Sequence, residues 1–218
     1  MFELFQKQRT FPRLLHIMKT TSSALNEQNM DGIALLALMD DADLHQWMGL
    51  FHRATGLAIR LLPVGLDFSR GTMCGHEHGF CRDAGVKGSA VCCKTRRSLN
   101  KKLAAKLVPQ QVVCDTGMTE VAVPVTVSGR HVGTFLVGQT FLKKPSVSSW
   151  SRLAATVAAA DKKRLMPLRN AYLNGGVIPD DTLDLLVRMV SLHAKRLEGM
   201  IEPPKKSRKK AKSTRRTR

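Results

Sequence analysis

Sulfur and imidazole side chains, whose chemistry suits metal binding, are concentrated between residues 74 and 114. The set comprises Cys74, His76, His78, Cys81, Cys92, Cys93 and Cys114. Thiolate and neutral imidazole are preferred zinc ligands, so one interpretation is a zinc or iron–sulfur centre on Cys81, Cys92, Cys114, His76 and His78. The spacing matches no standard zinc pattern, free cysteines often fill cores, and the histidines fit an exposed loop. A core role and a thiol sensor with activated thiolates are the alternatives.

Two polar residues, Glu120 and Gln139, lie in otherwise apolar segments. A polar side chain within a sheet needs a hydrogen-bond partner, which is either a protein group or a small hydroxylated ligand. Phe80 and Met118 supply apolar surface either to such a pocket or to the core. The chain has no GxSxG or HExxH motif, and no histidine adjoins Cys114 in the sequence. We therefore expect a protein that is not an enzyme.

The C-terminal residues 203–218 carry half of the net charge of the chain. The formal net charge is +18, and this tail holds no acidic residue. Its composition predicts a disordered segment that contacts nucleic acid without reading its sequence, although a merely solubilising tail has the same composition. The basic residues of the tail are Lys205, Lys206, Arg208, Lys209, Lys210, Lys212, Arg215, Arg216 and Arg218.

Hydrophobic periodicity and turn residues indicate the elements that position these side chains. Asp43 is a candidate N-cap for a helix that ends at Gly56, and a strand follows over 57–62. Further predicted elements are a helix over 88–107, a strand over 112–114, a hairpin of strands 120–127 and 131–141, and helices over 148–160, 161–174 and 180–201. In the 88–107 helix, we expect an outer face of Arg96, Arg97, Lys101, Lys102 and Lys106. The order predicts an α+β domain with a small antiparallel sheet.

The last predicted helix carries one apolar stripe at helical spacing. The stripe consists of Leu183, Leu186, Val187, Val190, Ala194, Leu197, Met200 and Ile201. It either packs against the sheet of its own chain or forms a dimer seam that transmits a signal. Both roles are compatible with one helix if different turns serve them.

Length and composition restrict the class of protein. With 218 residues, of which 43% are hydrophobic, the chain is long enough to bury a core and is neither fully disordered nor a small disulfide-bonded domain. It lacks a run of 18 apolar residues and a secretory signal pattern. Five cysteines, an odd number, disfavour a disulfide framework. We expect a cytoplasmic protein.

Six sequence elements, in order, resemble those of the PocR sensory domain. They are Cys81, Cys92, the run CDTGMTE over 114–120, the run VAVPV over 121–125, the glycines Gly129 and Gly133, and the pair Gly138–Gln139. The resemblance spans roughly residues 35–201 and implies a PAS-like small antiparallel sheet flanked by helices. Asp115 and Thr116 depart from the family pattern, which has histidine and alanine there. Family members are typically joined to an AraC-type helix-turn-helix or a kinase, whereas here the basic tail follows the last helix.

The resemblance implies a sensory domain that binds a small organic ligand, such as a diol, beneath the hairpin. The ligand-binding residues that it implies are Phe80, Cys81, Cys92, Cys114, Asp115, Met118, Glu120 and Gln139. Binding is expected to alter the last helix of a homodimer and so to signal to transcription or to a partner. The alternatives are a DNA- or RNA-binding accessory protein that uses the tail, and a cysteine-based metal or redox sensor. The chain then divides into an N-terminal helical extension (1–30), the sensory domain (31–202) and the tail (203–218).

Overall fold

The computed structural model describes residue 35 and residues 41–64, 74–76, 80–81, 90–157 and 165–201. Its elements are α1 (Ala42–Thr55), β1 (Ala58–Pro63), β2 (Cys74–His76), α2 (Ala90–Ala105), β3 (Gln110–Val113), β4 (Thr119–Val127), β5 (Arg130–Thr140), α3 (Val147–Val157), α4 (Leu165–Leu173) and α5 (Asp180–Ile201). The predicted α+β class with a long C-terminal helix is confirmed. The predicted N-terminal extension and basic tail lie outside the described residues.

The strands form one antiparallel sheet in the order β2-β1-β5-β4-β3. The predicted hairpin is confirmed as β4 and β5, which pair along their length at the middle of the sheet. Ser128 and Gly129 join them with φ values of 49° and 77°. Two consecutive residues with positive φ match the twist of antiparallel strands, which is why a short Ser-Gly connection suffices.

The two faces of the sheet bury different helices, because side chains alternate along each strand. One face presents Ile59 and Leu61 of β1 and the valines of β4 to α1 and α5. The other face presents Leu62, Ala122 and Leu136 to Leu99 and Leu103 of α2. The sheet is therefore covered on both sides, and β4 contributes to both cores.

The predicted stripe of α5 packs against this sheet except at Met200, which is 42% exposed. Leu183, Val187, Val190, Ala194 and Leu197 are buried, and Leu186 and Ile201 are partly buried in the same core. This stripe thus serves the fold of its own chain over most of its length. None of the helices within the described residues is both long and apolar enough to cross a bilayer.

Three local predictions are wrong for identifiable reasons. The N-cap of α1 is Asp41, whose Oδ1 accepts the amide hydrogen of Leu44, and Asp43 lies in the first turn. Arg96 is buried because it lies one turn before Leu99 on the face of α2 that covers the sheet. Cys114 follows β3 rather than ending it, since the chain turns at this residue.

Candidate functional site

Aromatic rings and sulfur atoms meet where β4 begins and β5 ends. The rings of Phe80, Phe141, Trp150 and Tyr172 pack with the sulfur-bearing side chains of Cys81, Cys114 and Met118, and we call this set the aromatic–sulfur cluster. Tyr172 lies at its centre, with ring centroids 5.3 Å from Phe80, 5.1 Å from Phe141 and 5.6 Å from Trp150. Aromatic and thioether groups pack favourably in such arrangements. The cluster is a closely packed, polarisable and largely apolar part of the core.

A tight turn over residues 114–117 holds the Cys114 thiol against this cluster. The amide of Gly117, whose φ is 84°, donates to the carbonyl of Cys114 at 2.8 Å. The Thr116 hydroxyl lies 2.7 Å from the Cys114 Sγ, and the Tyr172 hydroxyl donates to the Thr116 carbonyl at 2.9 Å. These bonds fix the turn to α4, so the thiol has a defined position.

The environment of Cys114 favours a protonated thiol. Burial is the largest influence and raises the pKa of this thiol, and the charge of Glu120 acts in the same direction. Hydrogen bonds from Thr116 and Met118 act against it without cancelling it. Because the thiolate is the reactive and metal-binding form, Cys114 in this state is a poor nucleophile and a poor ligand.

A β-bulge separates the aromatic–sulfur cluster from the regular part of the sheet. Thr119 pairs with Thr140 and Glu120 pairs with Gly138, so Gln139 is the extra residue. Gly138 has a φ of 130°, and Gln139 has a φ of 56°. A left-handed conformation costs a non-glycine residue free energy, and such strain concentrates at functional sites. Bulges also redirect side chains and are frequent next to functional sites. Gln139 is therefore a candidate for ligand contact.

A buried ion pair lies beside the bulge. Arg60 Nη2 donates to Glu120 Oε1 at 2.6 Å, and the two side chains are 1% and 9% exposed. Since β5 lies between β1 and β4, the pair spans a central strand. The charge of the Glu120 carboxylate contributes to the raised pKa of the Cys114 thiol, so the ion pair acts electrostatically on the aromatic–sulfur cluster.

Comparison with known families gives a match to the sensory domain found in PocR over residues 37–197. The chain belongs to the PocR sensory-domain family. No curated protein and no solved structure matches the chain significantly.

The PocR domain brings together several of the residues predicted for its site. Phe80, Cys81, Cys114 and Met118 belong to the aromatic–sulfur cluster, where the Cys81 Sγ lies 3.7 Å from the Met118 Sδ. Glu120 and Gln139 lie at the adjacent bulge. Asp115 is exposed in the turn, so its carboxylate does not join the cluster.

The predicted metal ligands are only partly within the described structure. Among the side chains that it describes, no three cysteine, histidine or acidic groups form a set able to hold a metal ion. Within the described residues, neither Cys81 nor Cys114 forms a disulfide. Residue His78 and the side chains of His76 and Cys92 lie outside the described part, so the metal centre stays a prediction.

Sequence reasoning missed Arg60, Tyr172 and Trp150 as parts of this region. Arg60 is the one charged residue in the predicted strand 57–62, and a lone charge in a buried strand signals a buried partner. Tyr172 is the only tyrosine of the chain, but the sequence of its helix does not indicate which part of the core the ring packs in. Their proximity depends on tertiary packing rather than on local spacing.

Proposed function

We propose that this PocR domain is a non-catalytic cytoplasmic sensor that binds a small organic ligand, such as a simple diol, at the bulge. The left-handed backbone of Gln139 carries the proposal, since a strained polar residue two positions before Phe141 of the aromatic–sulfur cluster suits a ligand with both apolar and hydroxyl groups. The rings of the aromatic–sulfur cluster contact the hydrocarbon part. Gln139 and the Arg60–Glu120 pair serve the hydroxyl groups.

The proposed signal leaves through β4. Glu120 near the start of this strand forms the ion pair with Arg60, whereas Val121, Val123 and Val125 pack in the core that α5 shares. Further along, the Thr126 hydroxyl donates to Glu198 of α5 at 3.4 Å. A ligand that shifts Glu120 would therefore shift the strand on which α5 rests, and α5 leads to the basic tail.

Titration of small diols and related alcohols into the full chain tests the ligand proposal. At about a hundredfold excess over Kd, linkage predicts a rise in Tm of about 5–10 °C. We expect Gln139→Ala to reduce this rise. Gln111→Ala is the matched control, because Gln111 is exposed on the edge strand β3, and β4 lies between it and the strand that carries Gln139. Native mass spectrometry of the protein from its own host complements the titration by detecting a co-purified organic adduct.

No change in Tm at millimolar concentration for any compound, together with a bare 24.1 kDa chain mass or twice that mass, would contradict the proposal. An increment the size of a metal ion would instead favour the cysteine-based metal sensor. Equal loss in Gln139→Ala and Gln111→Ala would exclude the bulge as the binding site.

A second candidate function, contact with nucleic acid, is favoured by the outer face of α2. This helix contains no acidic residue, and Lys94, Arg97 and Lys101 are exposed along one stripe about 10 Å long. Lys102 and Lys106 flank the stripe. Such a surface attracts phosphates, and together with the nine basic residues of the tail it would bind nucleic acid independently of sequence.

The salt dependence of duplex binding tests this second function. For the variant K94Q/R97Q/K101Q, the log–log slope of affinity against salt should fall by up to about three, one per lost phosphate contact. The variant K143Q/K144Q is the control, since both lysines are exposed in the connection between β5 and α3. Equal slopes in the two variants would show that α2 does not contact the nucleic acid. An unchanged affinity after deletion of 203–218 would show the same for the tail.

A further inference from the structure

The side of α5 that faces away from the sheet bears a second apolar stripe. Leu185, Met189 and Leu192 are 65%, 43% and 68% exposed. Their spacing of four and three residues aligns them on one helical face, opposite the buried stripe. Three large apolar side chains exposed in a row are unusual on a helix that already buries its other face, and they mark an interaction surface.

Charges extend this second stripe at both ends, with opposite signs. Asp181 precedes Leu185 by one turn, and Arg196 follows Leu192 by one turn, and both are exposed. The first eight residues of α5 include three acidic and no basic residues. Arg188, Lys195 and Arg196 lie in the remainder, where the one acidic residue, Glu198, accepts from Thr126 of β4. The outer face therefore changes from negative to positive along the helix.

The stripe is symmetric about a single point. Leu185 and Leu192 are equally distant along the chain from the midpoint between Arg188 and Met189, and so are Asp181 and Arg196. A two-fold axis perpendicular to the helix at this point places Leu185 of one copy opposite Leu192 of the other, and Asp181 opposite Arg196. A parallel pairing would instead place Asp181 against a second Asp181 and Arg196 against a second Arg196.

We propose that two copies of this chain associate through an antiparallel pair of α5 helices. In that pair, Leu185 contacts Leu192 of the second copy, Met189 lies at the axis, and Asp181 forms an ion pair with Arg196 of the second copy. The segment of α5 that takes part in the interface, from Asp181 to Arg196, is about 22 Å long. One pair of helices buries little area compared with an obligate interface, so the dimer is reversible and depends on concentration.

The proposal does not rest on the proposed function, because the second stripe lies on the side of α5 away from the sheet and from the bulge. Failure of the diol titration therefore leaves it intact. Its consequence is that the two basic tails, which follow α5, leave a dimer at opposite ends of the helix pair.

Charge exchange in the full chain tests the arrangement. We expect wild type to dimerise in sedimentation velocity experiments at micromolar concentration. Asp181→Arg and Arg196→Asp should each raise the dissociation constant about tenfold or more, since each change creates two like-charge contacts. The double variant D181R/R196D should restore the wild-type dissociation constant.

Apolar variants give the second arm of the test. Leu192→Gln should weaken the dimer while leaving the Tm of the monomer unchanged, because this side chain is 68% exposed. Leu50→Gln on α1, where the side chain is 50% exposed, is the matched control and should leave the dimer intact. A wild-type chain that is monomeric at all concentrations, for instance because residues 1–30 cover α5, would overturn the proposal. A double charge variant no better than the single variants would overturn it too.

Discussion

At the scale of single residues, the Arg60–Glu120 pair is the most consequential contact of the candidate site. Both side chains are almost fully buried, so removing one partner leaves an uncompensated group in the core. We expect Glu120→Leu or Arg60→Met alone to lower the free energy of unfolding by about 3–5 kcal/mol.

The double variant R60M/E120L should lose much less than the sum of the single losses, because it removes both buried charges. Urea denaturation of the four proteins measures this coupling. Additive losses would mean that the two side chains contribute to stability independently of each other.

His193 gives the stability of the domain a dependence on pH. Its ring stacks on Trp47 with centroids 3.7 Å apart, and burial, followed by the charge of Arg196, lowers its pKa to about 4. In the unfolded chain the His193 imidazole becomes protonated near pH 6.5, whereas in the folded chain it stays neutral at that pH. The contribution to stability is therefore complete above about pH 6.5 and is lost as the pH falls towards 4.

Unfolding of His193→Phe across this pH range isolates the contribution. We expect a flatter profile than that of wild type, with a difference of at most about 3 kcal/mol between pH 6.5 and pH 4. The pKa of His131 is also lowered by burial, so a smaller slope of the same sign should persist in the variant. Identical profiles for the two proteins would contradict the assignment to His193.

At the scale of elements, the bulge between β4 and β5 is the feature on which the site depends. A Cβ at Gly138 would lie 2.6 Å from the Thr119 carbonyl oxygen and 3.0 Å from the Glu120 Cα, in a backbone conformation that suits glycine. We expect Gly138→Ala to destabilise the domain by about 1–3 kcal/mol and to displace Gln139.

Gly176→Ala is the matched control, because a Cβ there would meet nothing within 4 Å and the residue has no left-handed φ. Its effect should stay within about 0.5 kcal/mol in the same denaturation experiment. A loss in Gly138→Ala as small as in the control would mean that the strands accommodate a side chain and that the bulge is not rigid.

The elements also show what local sequence signals determine. The hairpin was predictable because alternation and the Ser128–Gly129 turn act over neighbouring residues, and the buried stripe of α5 was predictable from helical periodicity. The bulge was not, since Gly138–Gln139 continues an apolar strand and its register depends on β4. The burial of Arg96 likewise depended on how α2 lies over the sheet, and Tyr172 entered the site only because α4 packs on the 114–117 turn.

At the scale of the whole molecule, the sheet separates two regions with different tasks. The bulge and the aromatic–sulfur cluster carry the proposed ligand site, and α5 offers one face to the sheet and the other to a second copy. Because β4 contributes side chains to both regions, it is the shortest connection between them. Ligand binding and dimerisation are therefore expected to influence each other through one strand.

The two tryptophans of the chain lie on different sides of this division. Trp150 belongs to the aromatic–sulfur cluster, whereas Trp47 stacks on His193 of α5 and packs against Phe51 and Phe135. The molecule thus contains two built-in fluorophores. With Trp47→Phe the emission would report events at the site, and with Trp150→Phe it would report movement of α5, so the order of the two events is open to stopped-flow measurement without an attached dye.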